Sequence, residues 1–516
     1  MVVAERPVAK RSFKFFAFQQ GGWRRGAGML NPMKRRSLLW SPALLGATVL
    51  PGWANGAVAG SGSAAEALHA CNRLGFGPRP GDLNRGPGWA EALEQQLAGP
   101  EVPAALQARL AAIEARQAPL GERIEAYRVA QQRDPGENNA ERRALVVQAQ
   151  RDAVEARLVR ALESPRQLEE RLVAFWFNHF NVFQDKGLCR MMVADYEARA
   201  IRPHVWGRFR DLLGAVAQHP AMLFYLDNYL STRAGFQGPG GGGRRGGLNE
   251  NYARELMELH TLGVDAGYSQ RDVTELARVL TGWTFVPRQG RFVFDARRHD
   301  AEPKTWLGER VPGRGQAQGE WVLDQLARHP RTAQRLAFKL AQFFVADDPP
   351  ADLVQATAQA YLRSEGDLRV TVTTLLQHPA ASDPAQFGGQ FKTPQHWLLS
   401  MLRATGATAA SIGEGPNAWQ PFLQALRQLG QPLFGCITPD GYKATRAAWL
   451  DPEALARRAE LAARYCQRAQ LGADAASALL DTLGPALGPA TRAAVVKAPA
   501  PLQAALVLGS PDFQNA

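Results

Sequence analysis

The 516-residue sequence is poor in cysteine: it has four, Cys71, Cys189, Cys436 and Cys466, and none stands in a Cys-x-x-Cys pair. That spacing excludes a zinc knuckle or a dithiol redox motif, and it leaves open both a disulfide in an oxidising compartment and free buried thiols. Gly-x-Ser-x-Gly, His-Glu-x-x-His, the phosphate-loop lysine motif and the EF-hand loop are also missing, which removes the enzyme classes that those signatures mark. The one strongly apolar run, Leu38 to Leu50, contains Pro42 and is too short to cross a bilayer. Gly75-Phe76-Gly77-Pro78 follows no strand, so its glycines read as a helix cap and not as a dinucleotide fingerprint. The composition is that of a globular protein, 46% hydrophobic and 21% charged, which argues against a disordered chain and supports a large core.

The formal charge of +12 would suggest a polyanionic partner if it were spread evenly. It is not. Arg6, Lys10, Arg11, Lys14, Arg24 and Arg25 face a single acid, Glu5, and Lys34, Arg35 and Arg36 follow directly. The remainder of the chain is only weakly basic, and no nucleic acid is expected as partner. Met33-Lys34-Arg35-Arg36, the apolar run and Ala57-Val58-Ala59 have the order of a signal peptide and its cleavage site. Residues 1–32 then read as a mis-assigned start extension and residues 33–59 as the signal peptide, with no transmembrane anchor left in the mature chain. The alternative is a basic cytosolic arm ahead of a buried helix. The paired arginines resemble a twin-arginine signal, while Leu38 and Trp40 depart from it, so ordinary secretion stays open. A periplasmic or extracellular location is expected.

Residues 64–516 read as one large, mainly α domain. Helical periodicity predicts segments at 64–74, 317–328, 331–345, 351–364, 368–377, 393–405, 418–428 and 452–468. The Ala/Arg/Glu/Gln-rich stretch 104–163 predicts exposed amphipathic helices that form arms around the core. Ser164-Pro165-Arg166-Gln167 predicts a helix start, and Ser269-Gln270-Arg271-Asp272 a capping box. Trp283 to Phe294 is the one hairpin. Arg233 to Gly247 has the composition of a surface loop. His219-Pro220, His329-Pro330 and His378-Pro379 each follow an apolar helical run, where a histidine suits the helix C-terminus and proline stops the helix.

The densest polar segment runs from Asn249 to Gly263 and predicts a helix capped at both ends. At about 100° per residue, Asn251, Glu255 and Glu258 fall in a ~60° sector beside the apolar face of Tyr252, Leu256 and Leu259. Two carboxylates on one buried flank could hold a divalent cation or share a proton; salt bridges to Arg254 or a neighbouring helix are the simpler use. His260 points away from Glu255 and reads as a hydrogen-bonded core residue. His179 lies among Phe175, Trp176, Phe177 and Phe180 on a buried stripe, as a satisfied core histidine or as a desolvated base or ligand. His299-Asp300, with Lys304 nearby, offers an imidazole beside a carboxylate in a loop. Asp227-Asn228 adds oxygen donors or a turn. Glu255, Glu258, His179, His299 and Asp300 are therefore the candidate ligands of a divalent metal ion, and Glu255, His179 and Lys304 the candidate catalytic groups.

The run from Asn249 to Gly263, continued by Tyr268 to Val273 and Leu280-Thr281-Gly282-Trp283, resembles the signature of the bacterial domain of unknown function 1800 family. Leu74 to Pro78, Phe175-Trp176, Asn178-His179-Phe180, His219-Pro220-Ala221-Met222, His299-Asp300, Lys304, Leu307-Gly308, Phe344-Val345, Asp348-Pro349-Pro350 and Lys392-Thr393-Pro394 also match it. Cys71 and the Arg233 to Gly247 loop depart from the pattern. The resemblance implies an exported protein of bacterial envelopes with a sulfatase-like protein as partner, and it supplies no established catalytic residue. Two functions follow from the whole reading: a metal-dependent hydrolase, or a non-catalytic periplasmic binding or assembly protein that uses the arms at 104–163.

Overall fold

The computed structural model describes residues 62–83, 87–134, 136, 139–237, 247–413, 415, 417–484 and 487–516. The expected start extension, the signal peptide and most of the glycine-rich loop lie outside the described residues. All described residues belong to the compact unit Ala57–Ala516. Among them are 22 α-helices and two antiparallel sheets of two strands each, so the fold is mainly α.

Two helices form the centre. Gln167–His179 buries residues on every side, among them Leu168, Glu170, Arg171, Leu172, Phe175, Trp176, Phe177 and His179. Pro394–Ala404 is likewise buried from His396 to Ala404. A helix without a polar face belongs inside a large protein, and its polar residues must then be satisfied by other protein groups. Glu170 achieves this through Arg202, whose two terminal nitrogens lie 2.7 and 3.0 Å from its carboxylate oxygens. Arg202 also reaches Glu197 at 3.0 Å, and Arg157 donates to the other oxygen of Glu197 at 2.9 Å. The two arginines hold the Glu197 carboxyl below its ordinary range against the opposing effect of burial, which is the largest single influence on it. Glu197 sits in a π-helical turn, Tyr196–Ile201.

The stretch expected as exposed arms is folded into the body. It forms the helices Ala104–Ala115, Leu120–Arg133 and Ala140–Glu163, and the last buries Ala149, Ala153, Val154, Leu158, Val159 and Leu162. Gly121 lets the hairpin turn approach, since a Cβ there would stand 2.2 Å from Arg288 O. Ser164 ends the Ala140–Glu163 helix and does not cap the next one, which begins three residues later at Gln167. The Ser269–Asp272 capping box forms, and the hairpin pairs Trp283–Val286 with Arg291–Phe294 in the register Trp283 to Phe294. The predicted helices of the second half fall within two residues of the observed Gln316–Arg328, Pro330–Phe344, Ala351–Arg363, Leu368–Gln377, Pro394–Ala404, Gln420–Gln428 and Pro452–Arg468. The four thiols are free.

The His-Pro pairs stop the preceding helices at Gln218, Arg328 and Gln377, as expected, and they have a second role. His219, His329 and His378 each start the following helix, accepting at Nδ1 from the N–H two residues on at 3.1, 3.1 and 3.3 Å. The ring nitrogen here does the work of a Ser or Asp cap, so the residue serves the helix or turn that follows as well as ending the one before.

Arg202→Met leaves the buried Glu170 without its partner and Glu197 with Arg157 alone, and it is expected to lower stability by about 3–5 kcal/mol. Urea unfolding with an unchanged m-value checks this; a loss below about 1 kcal/mol would show that the network is dispensable.

Candidate functional site

His179, the last residue of the central helix, is buried, and its Nε2 lies 3.1 Å from the carbonyl oxygen of His260. A carbonyl only accepts, so Nε2 carries the hydrogen and Nδ1 presents a lone pair. Lys339 Nζ donates to that lone pair at 3.0 Å. Burial, with Lys339 and His260 as neighbours, holds His179 far below the ordinary imidazole range. Lys339 lies on the helix Pro330–Phe344, in register with the buried Thr332 and Leu336, and is itself half-buried. Its amine is lowered to about 7, chiefly by burial and then by Arg335 and Lys443, with Asp440 opposing. The result is an amine whose charged form is disfavoured and which is held by a neutral imidazole of fixed tautomer.

His260 is in the core, as expected, but it is not hydrogen-bonded: neither ring nitrogen has a partner among the described residues. Phe180 lies 5.1 Å and Tyr252 6.4 Å from its ring centroid, and burial lowers it to about 3. The helix that carries it is also irregular. Asn251–Glu255 is α-helical, Leu256–His260 is a π-turn, and Gly263, at φ 90°, closes the segment by donating to Met257 O. Such turns replace i→i+4 bonds by i→i+5 bonds, which rotates the residues that follow relative to a regular helix.

Glu255 and Glu258 are both half-buried on this segment. Arg254 pairs loosely with Glu258 at 3.5 Å and with Glu250 at 3.5 Å. Glu255 makes no ion pair among the described residues; burial and then Glu258 raise it, Arg254 counteracts them, and Asp440 adds to the rise. Glu258 also pushes up the Tyr268 phenol, after burial, to about 12. Asp440 therefore acts electrostatically on both Glu255 and Lys339, which ties the acidic flank and the amine to one neighbourhood.

The loop that delivers Asp440 is pinned from the centre of the fold. Asn178 Nδ2 donates to Tyr442 O at 2.8 Å while its Oδ1 accepts from Tyr442 N at 2.8 Å. Asn181 Nδ2 donates to Cys436 O and Thr438 O at 2.9 and 2.8 Å, and Tyr225 Oη to Ile437 O at 2.7 Å. Gly441, at φ 72°, passes so close that a Cβ would stand 2.2 Å from Asn178 O. Asp440 is held below the ordinary carboxylate range by Lys443 and Thr438, although burial opposes them. Neither Asp440 nor Lys339 is among the candidates drawn from sequence. The available signals are Pro439-Asp440-Gly441, a turn tripeptide, and a lysine at the spacing of a buried stripe.

His299, Asp300 and Lys304 form a separate cluster. His299 Nδ1 lies 2.8 Å from Thr281 O and Nε2 3.2 Å from Gln318 Oε1. Asp300 is paired with Arg278 at 2.8 Å. Lys304 donates to Gln318 Oε1 at 2.9 Å, to Glu302 O at 3.1 Å and to Asp300 O. These contacts staple the chain after the hairpin, and among the described residues none runs to His179, Glu255 or Glu258. The five expected ligands are thus not brought together: no three His, Cys, Asp or Glu side chains among the described residues are placed to hold a metal ion. Asp227 and Asn228 are also engaged structurally, Asp227 with Lys186 at 2.8 Å and Asn228 with Trp283 O at 2.9 Å.

The family model described as "Protein of unknown function (DUF1800)" matches residues 69–515, and the chain belongs to that family. No curated protein and no solved structure matches the chain. No helix among the described residues is long and apolar enough to cross a membrane.

The depressed imidazoles have a consequence for acid stability. His179 and His260 have folded pKa values below the unfolded value of about 6.5, so the unfolded chain binds protons that the folded chain refuses. Their contribution is present above about pH 6.5 and is lost as pH falls, by about 2 kcal/mol for each imidazole at pH 5. His260→Phe fills the site with a ring that does not titrate. It is expected to make the stability profile between pH 7 and 5 shallower by about that amount, and an unchanged slope in urea unfolding would refute the assignment.

Proposed function

We propose that this family member is an exported hydrolytic enzyme of the bacterial envelope that works by proton transfer at Lys339. The observation that carries the reading is the Lys339 amine, lowered to about 7 by burial and hydrogen-bonded to a neutral histidine. In this scheme the free amine takes a proton from water or a substrate hydroxyl, and Glu255, whose carboxyl is raised by burial and Glu258, returns one to the leaving group. His179 is a positioning residue that fixes the amine. Export rests on the sequence pattern of residues 33–59, and the sulfatase-like partner on the family resemblance. A divalent ion, the other basis for hydrolysis, would need ligands beyond the Glu255–Glu258 pair.

Amine reactivity tests this directly. Acylation with a trace-labelling reagent, followed by peptide mass spectrometry, is expected to show Lys339 reacting with a midpoint near pH 7. His179→Phe shifts that midpoint, because it removes the acceptor. Lys339→Met is expected to lower turnover of any chromogenic ester or glycoside hydrolysed by the wild type by at least about 100-fold. A midpoint near 10, or equal turnover by the variant, would sink the reading.

A second reading, a binding or assembly protein, is favoured by a cleft of about 540 Å³ between the helices Pro394–Ala404, Gln420–Gln428 and Pro452–Arg468. Leu402, Phe422, Leu461 and Tyr465 line it, the apolar character that a binding groove needs.

A further inference from the structure

Four cationic side chains, Arg73, Arg171, Lys392 and Arg458, are buried beside His396 where the two central helices meet. Lys392 is repelled by Arg458, Arg171 and Arg73, and Arg171 by Arg73. The carboxylates that act on the group are Asp347, against Arg73, and Asp451, against Arg458. Among the described residues none acts on Arg171 or Lys392. The contrast with the Glu170–Arg202–Glu197–Arg157 network is direct, since there every buried cation meets a carboxylate within 3.0 Å. Burying a cation without an anion is costly, and proteins that do so commonly present the charge to a ligand.

Arg171 is held flat by rings, with its guanidinium carbon 4.4 Å from the Phe343 centroid and 5.4 Å from that of Phe76. Its Nη1 donates to His396 Nδ1 at 3.3 Å. An arginine only donates, so His396 Nδ1 carries the lone pair and its Nε2 the hydrogen. That Nε2, Arg171 Nε and Gln395 Nε2 are buried with no partner among the described residues. The same three residues line a cavity of about 80 Å³ with Thr393, Asn178 and Lys443, room for roughly two or three waters. Unpaired donors and a rigid guanidinium thus converge on one small space, while Arg73, Lys392 and Arg458 act on His396 from outside its lining.

We infer that this cavity binds a small oxyanion (a phosphate, sulfate or carboxylate group) through Arg171, His396 and Gln395. The site lies next to the Lys339 neighbourhood: Asn178 precedes His179, and Lys443 acts on the amine. The inference goes beyond the acid–base reading and stands without it, because anion binding is read with no substrate present.

Calorimetric titration of the full-length protein in a phosphate-free buffer, at matched ionic strength, tests it with inorganic phosphate, sulfate and acetate in parallel. Saturable binding of at least one of them is expected at about 1 mM or tighter, and the ranking of the three identifies the anion class. Arg171→Met, which keeps the stem between the rings, should weaken that binding by about tenfold or more. Phosphate and sulfate also stabilise proteins by exclusion from their surface, so an equal rise in melting temperature in wild type and variant, with no saturable heat, overturns the inference. If Arg171→Met fails to fold, His396→Phe takes its place, and absence of saturable heat in the wild type overturns the inference without any variant. Loss of the anion site leaves the Lys339 titration untouched, and an ordinary Lys339 leaves anion binding untouched.

Discussion

A helix buried on all sides sets the terms for the rest of this molecule. Gln167–His179 leaves only Glu169, Ala174 and Asn178 partly exposed, yet it carries Glu170, Arg171, Asn178 and His179. Each must be answered from another part of the chain. Glu170 is answered by Arg202, Asn178 by the backbone of Tyr442, and His179 by the carbonyl of His260 and the amine of Lys339. Arg171 is answered only by aromatic faces and one imidazole nitrogen. The candidate sites are the places along this helix where the answer is incomplete.

The same burial explains the electrostatics. Desolvation is the leading influence on His179, His260, Lys339, Lys392 and Arg171, and in each it favours the neutral form. Where carboxylates are supplied, as around Glu197, charges persist inside the protein. Around Lys339 burial, Arg335 and Lys443 outweigh the one opposing carboxylate, Asp440, and the amine is lowered. The fold thus separates a structural ion network from a chemically poised region by the placement of a few acids.

Much of the architecture was legible in the sequence, because periodicity and caps are local. The apolar spacing of Leu336, Leu340 and Phe344 or of Val273, Leu276 and Leu280 needs no tertiary context, and neither does the Ser269 capping box. The Ala140–Glu163 helix was harder: its many Arg, Glu and Gln residues mimic a solvated surface, while Asp152, Glu155 and Arg157 are in fact buried within ion pairs. Of the expected site, Glu255, Glu258 and His179 fall in the Lys339 neighbourhood, and His299, Asp300 and Lys304 do not. That division depends on contacts between residues up to about 260 positions apart, such as Asn178 with Tyr442, and no local pattern encodes them. The π-turn at Leu256–His260 was equally invisible, since its residues would suit a regular helix.

That turn contains one residue more than the helical ladder requires. A length change there is therefore unusually cheap for the backbone, because removing a single residue restores ordinary i→i+4 pairing and leaves the scaffold around it intact. The side chains beyond the deletion would pay instead: Glu258 and His260 would swing to new bearings while the helix ends stayed in place. In this chain the bearing of the Glu258 and His260 side chains is thus set by the length of the segment as much as by its residue types.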